Sequence, residues 1–206
     1  MALSITRYIA LSLLCIGVSA AQAAEPKSPQ ATAQAQNAEL QSAHDFVQGF
    51  YDWYVQQAEQ EKDGWPSMTA ALKNERWPFS DEIKKALQAD TEAQAKVEGY
   101  IVGIDFDPFL NAQDTCFPYK AGKAIHAGNR YQVEVFSNCA GSHPERATVI
   151  PVVDKRNGTW LFVNFIYPDD TTTDLLSTLQ ALKKDREEHP KPPSEDQGGL
   201  DGPRHS

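Results

Sequence analysis

The hydrophobic period of this chain changes once, and that change constrains the fold more than any other feature. Ahead of residues 105–116 (Asp-Phe-Asp-Pro-Phe-Leu-Asn-Ala-Gln-Asp-Thr-Cys), apolar residues recur at steps of three and four. Beyond them, as far as Pro168, they alternate in twos. The first pattern is a helix with one buried face, the second a half-buried strand. Helices first, then an antiparallel meander, then one more helical stretch, predict an α+β chain.

The strongest helix is expected over residues 39–61. Ala43, Phe46, Val47, Phe50 and Tyr54 share one face, and Tyr51 and Trp53 widen it. So many aromatics within two turns read as core. His44 and Asp45 are neighbours in sequence, point about 100° apart on a helix, and are expected as separate surface residues. Gly64 and Pro66 break the helix. A short helix over residues 68–74 follows, then a second break at Trp77-Pro78-Phe79. Ser80 is an N-cap, Asp81 and Glu82 complement the helix dipole, and Ile83, Ala86 and Leu87 form the buried face. Asp90-Thr91 reads as a fresh helix start, and residues 100–104 as extended chain.

Within the hinge, Asp107-Pro108 has the form of a helix start: a carboxylate to cap free N–H groups, then a residue with no N–H to orphan. A single turn over residues 108–112 would put Phe109 on the core side. The oxygens of Asp105, Asp107, Asn111 and Asp114 offer an alternative, a hard-cation site. The spacing is not that of an EF-hand, and caps and turn bonds account for these residues without an ion. No metal and no cofactor is expected.

In the second half, residues 120–125 and 130–136 flank Ala127-Gly128. Tyr131, Val133 and Val135 alternate with polar residues. Cys116 and Cys139 share the midpoint of that turn, so a disulfide between them would close the open end of the hairpin. Such a bridge should stabilise by about 3 kcal/mol. Residues 147–153 and 160–167 are the next strands, joined through Asn157-Gly158, a strong hairpin signal. Both faces of the second are apolar, with Trp160, Phe162 and Ile166 on one and Leu161, Val163, Phe165 and Tyr167 on the other. Pro168-Asp169-Asp170-Thr171 ends the sheet. Leu175, Leu176, Leu179 and Leu182 stripe a last helix, with Lys183, Lys184 and Arg186 near its C-terminus.

The ends suggest export. Residues 1–23 carry one charge, Arg7, then an apolar run and the small-residue sequence Ala21-Gln22-Ala23, the form of a signal peptide cleaved before Ala24. Residues 24–38 are expected as a flexible linker, 39–187 as one domain, and 188–206 as a disordered tail. The exported chain keeps two cysteines, which in an oxidising compartment pair. The location expected is periplasmic or secreted, without a stable membrane anchor. The formal charge of the full chain is −9. That argues against nucleic acid as a partner and suits a basic protein.

The blocks Phe46-Val-Gln-Gly-Phe-Tyr-Asp-Trp-Tyr54, Phe79-Ser-Asp-Glu-Ile-Lys-Lys-Ala-Leu87 and residues 105–114 together resemble the bacterial envelope family of domain of unknown function 3828. The strand Trp160-Leu-Phe-Val-Asn-Phe-Ile-Tyr167 before a Leu-rich helix is similar too. The resemblance spans about residues 40–185. It implies an NTF2-like cone, in which a curved antiparallel sheet wraps N-terminal helices and one C-terminal helix, in an exported protein. It implies no reaction. Some relatives resemble lipoproteins, but Leu13-Leu14 before Cys15 and Ile16 after it make no lipobox here.

No metalloprotease, serine-hydrolase, thiol-redox or phosphate-loop motif is present. Two readings follow. The first is a non-catalytic binding module, an immunity-type inhibitor of a toxin or an accessory of an envelope complex. Its contact residues are expected among Tyr51, Tyr54, Asp105, Asp107 and Asp114. The second is a small-ligand carrier or acid–base enzyme using a cone pocket, with Asp105, Tyr51, Tyr54 and His126 as the groups to supply the chemistry. A deep pocket with a perturbed carboxylate would favour the second, and a filled interior with an exposed patch the first.

Overall fold

Residues 29–60, 66–113, 117–138, 145–168 and 173–190 are described by a computed structural model. Helices α1 (Pro29–Ala58), α2 (Pro66–Lys73) and α3 (Asp81–Gln94) come first. Strands β1 (Tyr119–Ala127), β2 (Arg130–Ser137), β3 (Ile150–Arg156), β4 (Thr159–Tyr167) and β5 (Thr173–Asp174) follow, and α4 (Leu175–Glu188) ends the order. The strands lie in sequence order and pair antiparallel throughout. The fold is α+β, with N-terminal helices and one C-terminal helix packed on a curved sheet. Cys116, Cys139 and the disulfide expected of them lie outside the described residues. So do Asp114, the signal peptide and the tail from residue 191.

Helix α1 begins ten residues before the expected start at Glu39. Pro29 suits a first helical position, and the Ala- and Gln-rich run behind it has high helix propensity even without an apolar face. From Ala43 onward the expected face is buried: Ala43, Val47, Phe50 and Tyr54 are fully enclosed, and Tyr51 nearly so. Ser80 caps α3, accepting from the Ile83 N–H at 3.3 Å. Asp90-Thr91 does not start a new helix. Both lie inside α3, because Asp90 turns inward and is 3% exposed.

The β3–β4 turn forms at Asn157-Gly158, where φ is 51° and 82°. Both residues are left-handed, as a type I′ turn requires. The β1–β2 turn sits one residue further along than expected. Ala127 pairs with Arg130, so the turn is Gly128-Asn129, and an irregularity between Ala121 and Ala124 shifts the register toward the open end.

A second bulge corrects the expected facing of β4. Val153 pairs with Phe162 but Val152 with Asn164, leaving Val163 as the extra residue. The two-residue alternation slips there. Trp160 and Phe162 before it and Phe165 and Tyr167 after it all join one core, although the sequence pattern assigned them to opposite faces. The Phe162 and Phe165 rings stack at 5.2 Å. Phe50 sits among them, 4.8 Å from Phe162 and 5.9 Å from both Phe79 and Phe109. Burying each ring stabilises by roughly 1.5–3 kcal/mol. The concave side of the sheet is thus filled with aromatic side chains.

Candidate functional site

The hinge reaches the centre of that core. Asp107 is 1% exposed. Its Oδ1 accepts from the N–H groups of Phe109 at 2.8 Å and Leu110 at 3.1 Å, the capping role expected of it. What it caps is a tight turn, not the helical turn expected over residues 108–112. The Asp107 N–H donates to Ala112 O at 2.8 Å, and Asn111 adopts a left-handed φ of 51°.

Four tyrosines from three elements fasten this turn. From α1, Tyr54 donates to Asp107 Oδ2 at 2.7 Å and Tyr51 to the Phe109 carbonyl at 2.7 Å. Tyr119 of β1 donates to Leu110 O at 3.1 Å, and Tyr167 of β4 to Pro108 O at 3.0 Å. Consecutive buried carbonyls that no strand or helix pairs are thereby satisfied. The Tyr51 and Tyr119 rings stack at 5.7 Å.

Of the residues expected to form a site, Tyr51, Tyr54 and Asp107 do come together, inside the protein. Asp105 does not join them. It is exposed and receives a bond from Gln113 Nε2 at 3.3 Å. Of the alternative cation site, Asp114 lies outside the described residues, while Asp107 is buried with both oxygens accepting from protein donors and Asp105 is exposed. Among the described residues no cluster of three or more His, Cys, Asp and Glu side chains has the form of a metal site.

Three of the four tyrosines have little to offer as bases. Burial first, and then the neighbouring Tyr119 and Asp107, push the Tyr51 hydroxyl far above its usual range. Burial and Asp107 do the same to Tyr119 and Tyr167. Hydroxyls held in that direction remain donors and cannot act as bases near neutrality.

His126 lies at the surface with its ring edge-on to Tyr131, centroids 4.8 Å apart. Nearby is a fastening that sequence reading missed. Glu39 accepts from the Tyr131 hydroxyl and from Lys155 Nζ at 3.2 Å, while Trp160 Nε1 donates to Ser42 at 2.9 Å. The bond from Tyr131 leads in holding Glu39 below the usual carboxylate range, and the same bond pushes Tyr131 up to about 12. This ties α1 to the far end of the sheet. His44 and Asp45, expected apart, are in fact bonded, Nδ1 to Oδ1 at 3.0 Å, but with Asp45 open to solvent. A helical neighbour pair can meet when one carboxylate rotamer folds back along the surface.

The open space lies on the helical side. A groove of about 690 Å³ runs between α3 and α4, floored by Ala86, Ala89, Ala93 and Leu179, with charges of both signs on its rim. A second, of about 610 Å³, lies between α2, α3 and residues 101–105. Met68, Ile101, Ile104 and Ala95 line it, together with the carboxylates of Asp90 and Asp105. Asp90 is neutralised: Arg186 donates to it at 2.6 Å and to Val102 O at 2.7 Å. This link joins residues 96 apart in sequence, so no local pattern announces it. Arg186 stands in the last turn of α4, as expected, and there it also locks α4 onto α3.

No family model matches the chain, and neither does any curated protein. One solved structure, a protein of unknown function from Bacteroides thetaiotaomicron VPI-5482, is similar over 67% of this chain and 98% of that one. The identity is 22% and the TM-score 0.46. No helix among the described residues is long and apolar enough to cross a membrane.

Proposed function

We propose that this chain is an exported, periplasmic interaction module that works through its surface and performs no catalysis. One observation carries the reading. The concave face of the sheet, where a cone-type enzyme or carrier would hold its ligand, is occupied by Phe50, Phe109, Phe162 and Phe165 and by four tyrosines bonded to the 107–110 turn. A reacting molecule would have to displace that core. The grooves on the helical side, by contrast, are open to solvent and partly apolar. The acidic balance of the chain, with a formal charge of −9, favours a basic protein as partner. An incoming toxin that the module neutralises and a basic subunit of an envelope assembly both fit.

Affinity capture from periplasmic extract with the chain from Ala24 tests this. A protein partner that is enriched and released by salt is the expected result. A small molecule that co-purifies with the chain and is chemically converted by it would overturn the proposal.

A further inference from the structure

Residues 100–104 form neither helix nor strand, yet their backbone is fastened from behind. Gln94 Nε2 donates to Tyr100 O at 2.9 Å, and Gln94 Oε1 accepts from Val102 N at 2.8 Å and Gly103 N at 3.1 Å. Asp90 Oδ2 accepts from Ile104 N at 2.8 Å, and Arg186 holds Val102 O. The fit is close enough to require glycine at 103, since a Cβ there would stand 2.7 Å from Asp90 Oδ2.

Three side chains thus hold a short loop in one shape, and that shape faces large apolar groups outward. Tyr100 is 57% and Ile101 72% exposed, more than any other large apolar residue described. A loop so fixed loses little further conformational entropy on binding. Ile101 is also a wall of the 610 Å³ groove, with Met68 and Ile104 beside it. Among the described residues, the charges lining that groove are both carboxylates. Asp90 is paired with Arg186, while Asp105 is exposed and, among the described residues, meets only a neutral amide. An apolar trough with one uncompensated carboxylate at its mouth is complementary to a cation carried on an apolar segment.

We propose that this groove is the docking site for a basic segment of a partner protein. A Lys or Arg would meet Asp105, and an adjoining apolar side chain would pack on Ile101, Ile104 and Met68. The proposal rests on the reading of the chain as an interaction module and names the face and the partner chemistry.

The test is an amide NMR titration of the chain from Ala24 with two synthetic peptides, Leu-Lys-Leu-Lys and Leu-Glu-Leu-Glu. The basic peptide is expected to shift amides at residues 68–69, 94–95 and 100–105, and the acidic one to leave them unmoved. Ile101→Asp and Asp105→Asn should each weaken binding by roughly tenfold, as loss of an anchor does. Both positions are exposed, so their thermal melts should match the parent. Shifts that map elsewhere, an equal response to both peptides, or concentration-dependent shifts without peptide, the mark of a second copy of this chain, would each overturn the assignment. A protein captured from periplasm that both variants retain would remove the groove and leave the interaction-module reading intact. Failure of the parent itself to capture any protein would instead count against that reading.

Discussion

Two irregular stretches of this chain are held in the same way and put to opposite uses. The turn at 107–110 and the loop at 100–104 each lie outside the helices and strands, and each has backbone groups satisfied by side chains, most of them from other elements. In the first, the fasteners are tyrosines pointing inward, and Phe109 and Leu110 are fully buried. In the second, the fasteners are Asp90, Gln94 and Arg186 on the helical side, and Tyr100 and Ile101 point out. Unpaired backbone has to be satisfied in either place. What differs is where the freed side chains go, and that separates a stretch that holds the fold from one that displays a surface.

The buried turn is disrupted most severely by substitution at Asp107. Asp107→Ala removes the acceptor of two backbone N–H groups and one tyrosine hydroxyl, all buried. At about 1–3 kcal/mol for each orphaned donor, the loss should be about 3 kcal/mol or more in a urea unfolding curve. That exceeds the ~1 kcal/mol of an ordinary exposed cap. A loss of only ~1 kcal/mol would mean that the tyrosine fastening counts for little.

Arg186→Ala is next. It leaves Asp90 buried without its cation and should cost about 3 kcal/mol. Asp90→Asn combined with Arg186→Ala should recover part of that loss, because the uncompensated charge is gone. The double-mutant cycle measures the coupling, and additive losses would show that the pair is not acting as one unit.

Much of the first region, and little of the second, was legible in the sequence. The change of period gave the α+β order, because burial of one face leaves a local repeat. Ser80, Asp107 and Asn157-Gly158 carry their roles in residue type alone, through capping and left-handed φ. Tyr51 and Tyr54 read in the sequence both as part of an aromatic core stripe and as candidate contact residues, and their hydroxyls are consumed inside. Their partners lie 58 and 53 positions away, beyond any periodic signal. Asp90 and Arg186 are more distant still, and Asp90-Thr91 mimics a helix start. The bulge at Val163 has no local signature either, since every residue from Leu161 to Phe165 except Asn164 is apolar. The early start of α1 was hidden because Ala and Gln favour helix without an apolar face to betray it.

A smaller effect, spread over several groups, comes from pH. Tyr51, Tyr119, Tyr131 and Tyr167 are all raised above the ordinary value of 10.0, in Tyr131's case up to about 12. Above pH 10 the unfolded chain gives up tyrosine protons that the folded chain keeps, so stability should fall as pH rises. At the acid end Glu39, Asp45 and Asp174 are depressed. Bonds from Tyr131 and Lys155 hold Glu39 down and those from His44 and Gln41 hold Asp45 down, while at Asp174 burial pulls up but bonds from Ser177 and Asn164 outweigh it. Their contribution is present above about pH 4.5 and is lost as pH falls through the carboxylate range. Thermal melts across pH should therefore plateau between these limits and drop on both sides. A melt unchanged up to pH 12 would contradict the buried-donor role of the tyrosines.

The smallest effect on stability is expected at Ile101. Ile101→Asp should change the unfolding free energy by no more than about 0.5 kcal/mol, as for other exposed positions. Tyr51→Phe, by contrast, should cost about 1 kcal/mol by leaving the Phe109 carbonyl without its donor.

These two variants set fold against function in one experiment, capture from periplasmic extract of the proposed partner by each alongside the parent. The division of roles drawn here predicts that Tyr51→Phe, though less stable, retains the partner, and that Ile101→Asp, though as stable as the parent, loses it. Retention by Ile101→Asp together with loss by a folded Tyr51→Phe would contradict it, and would return the site of function to the buried core.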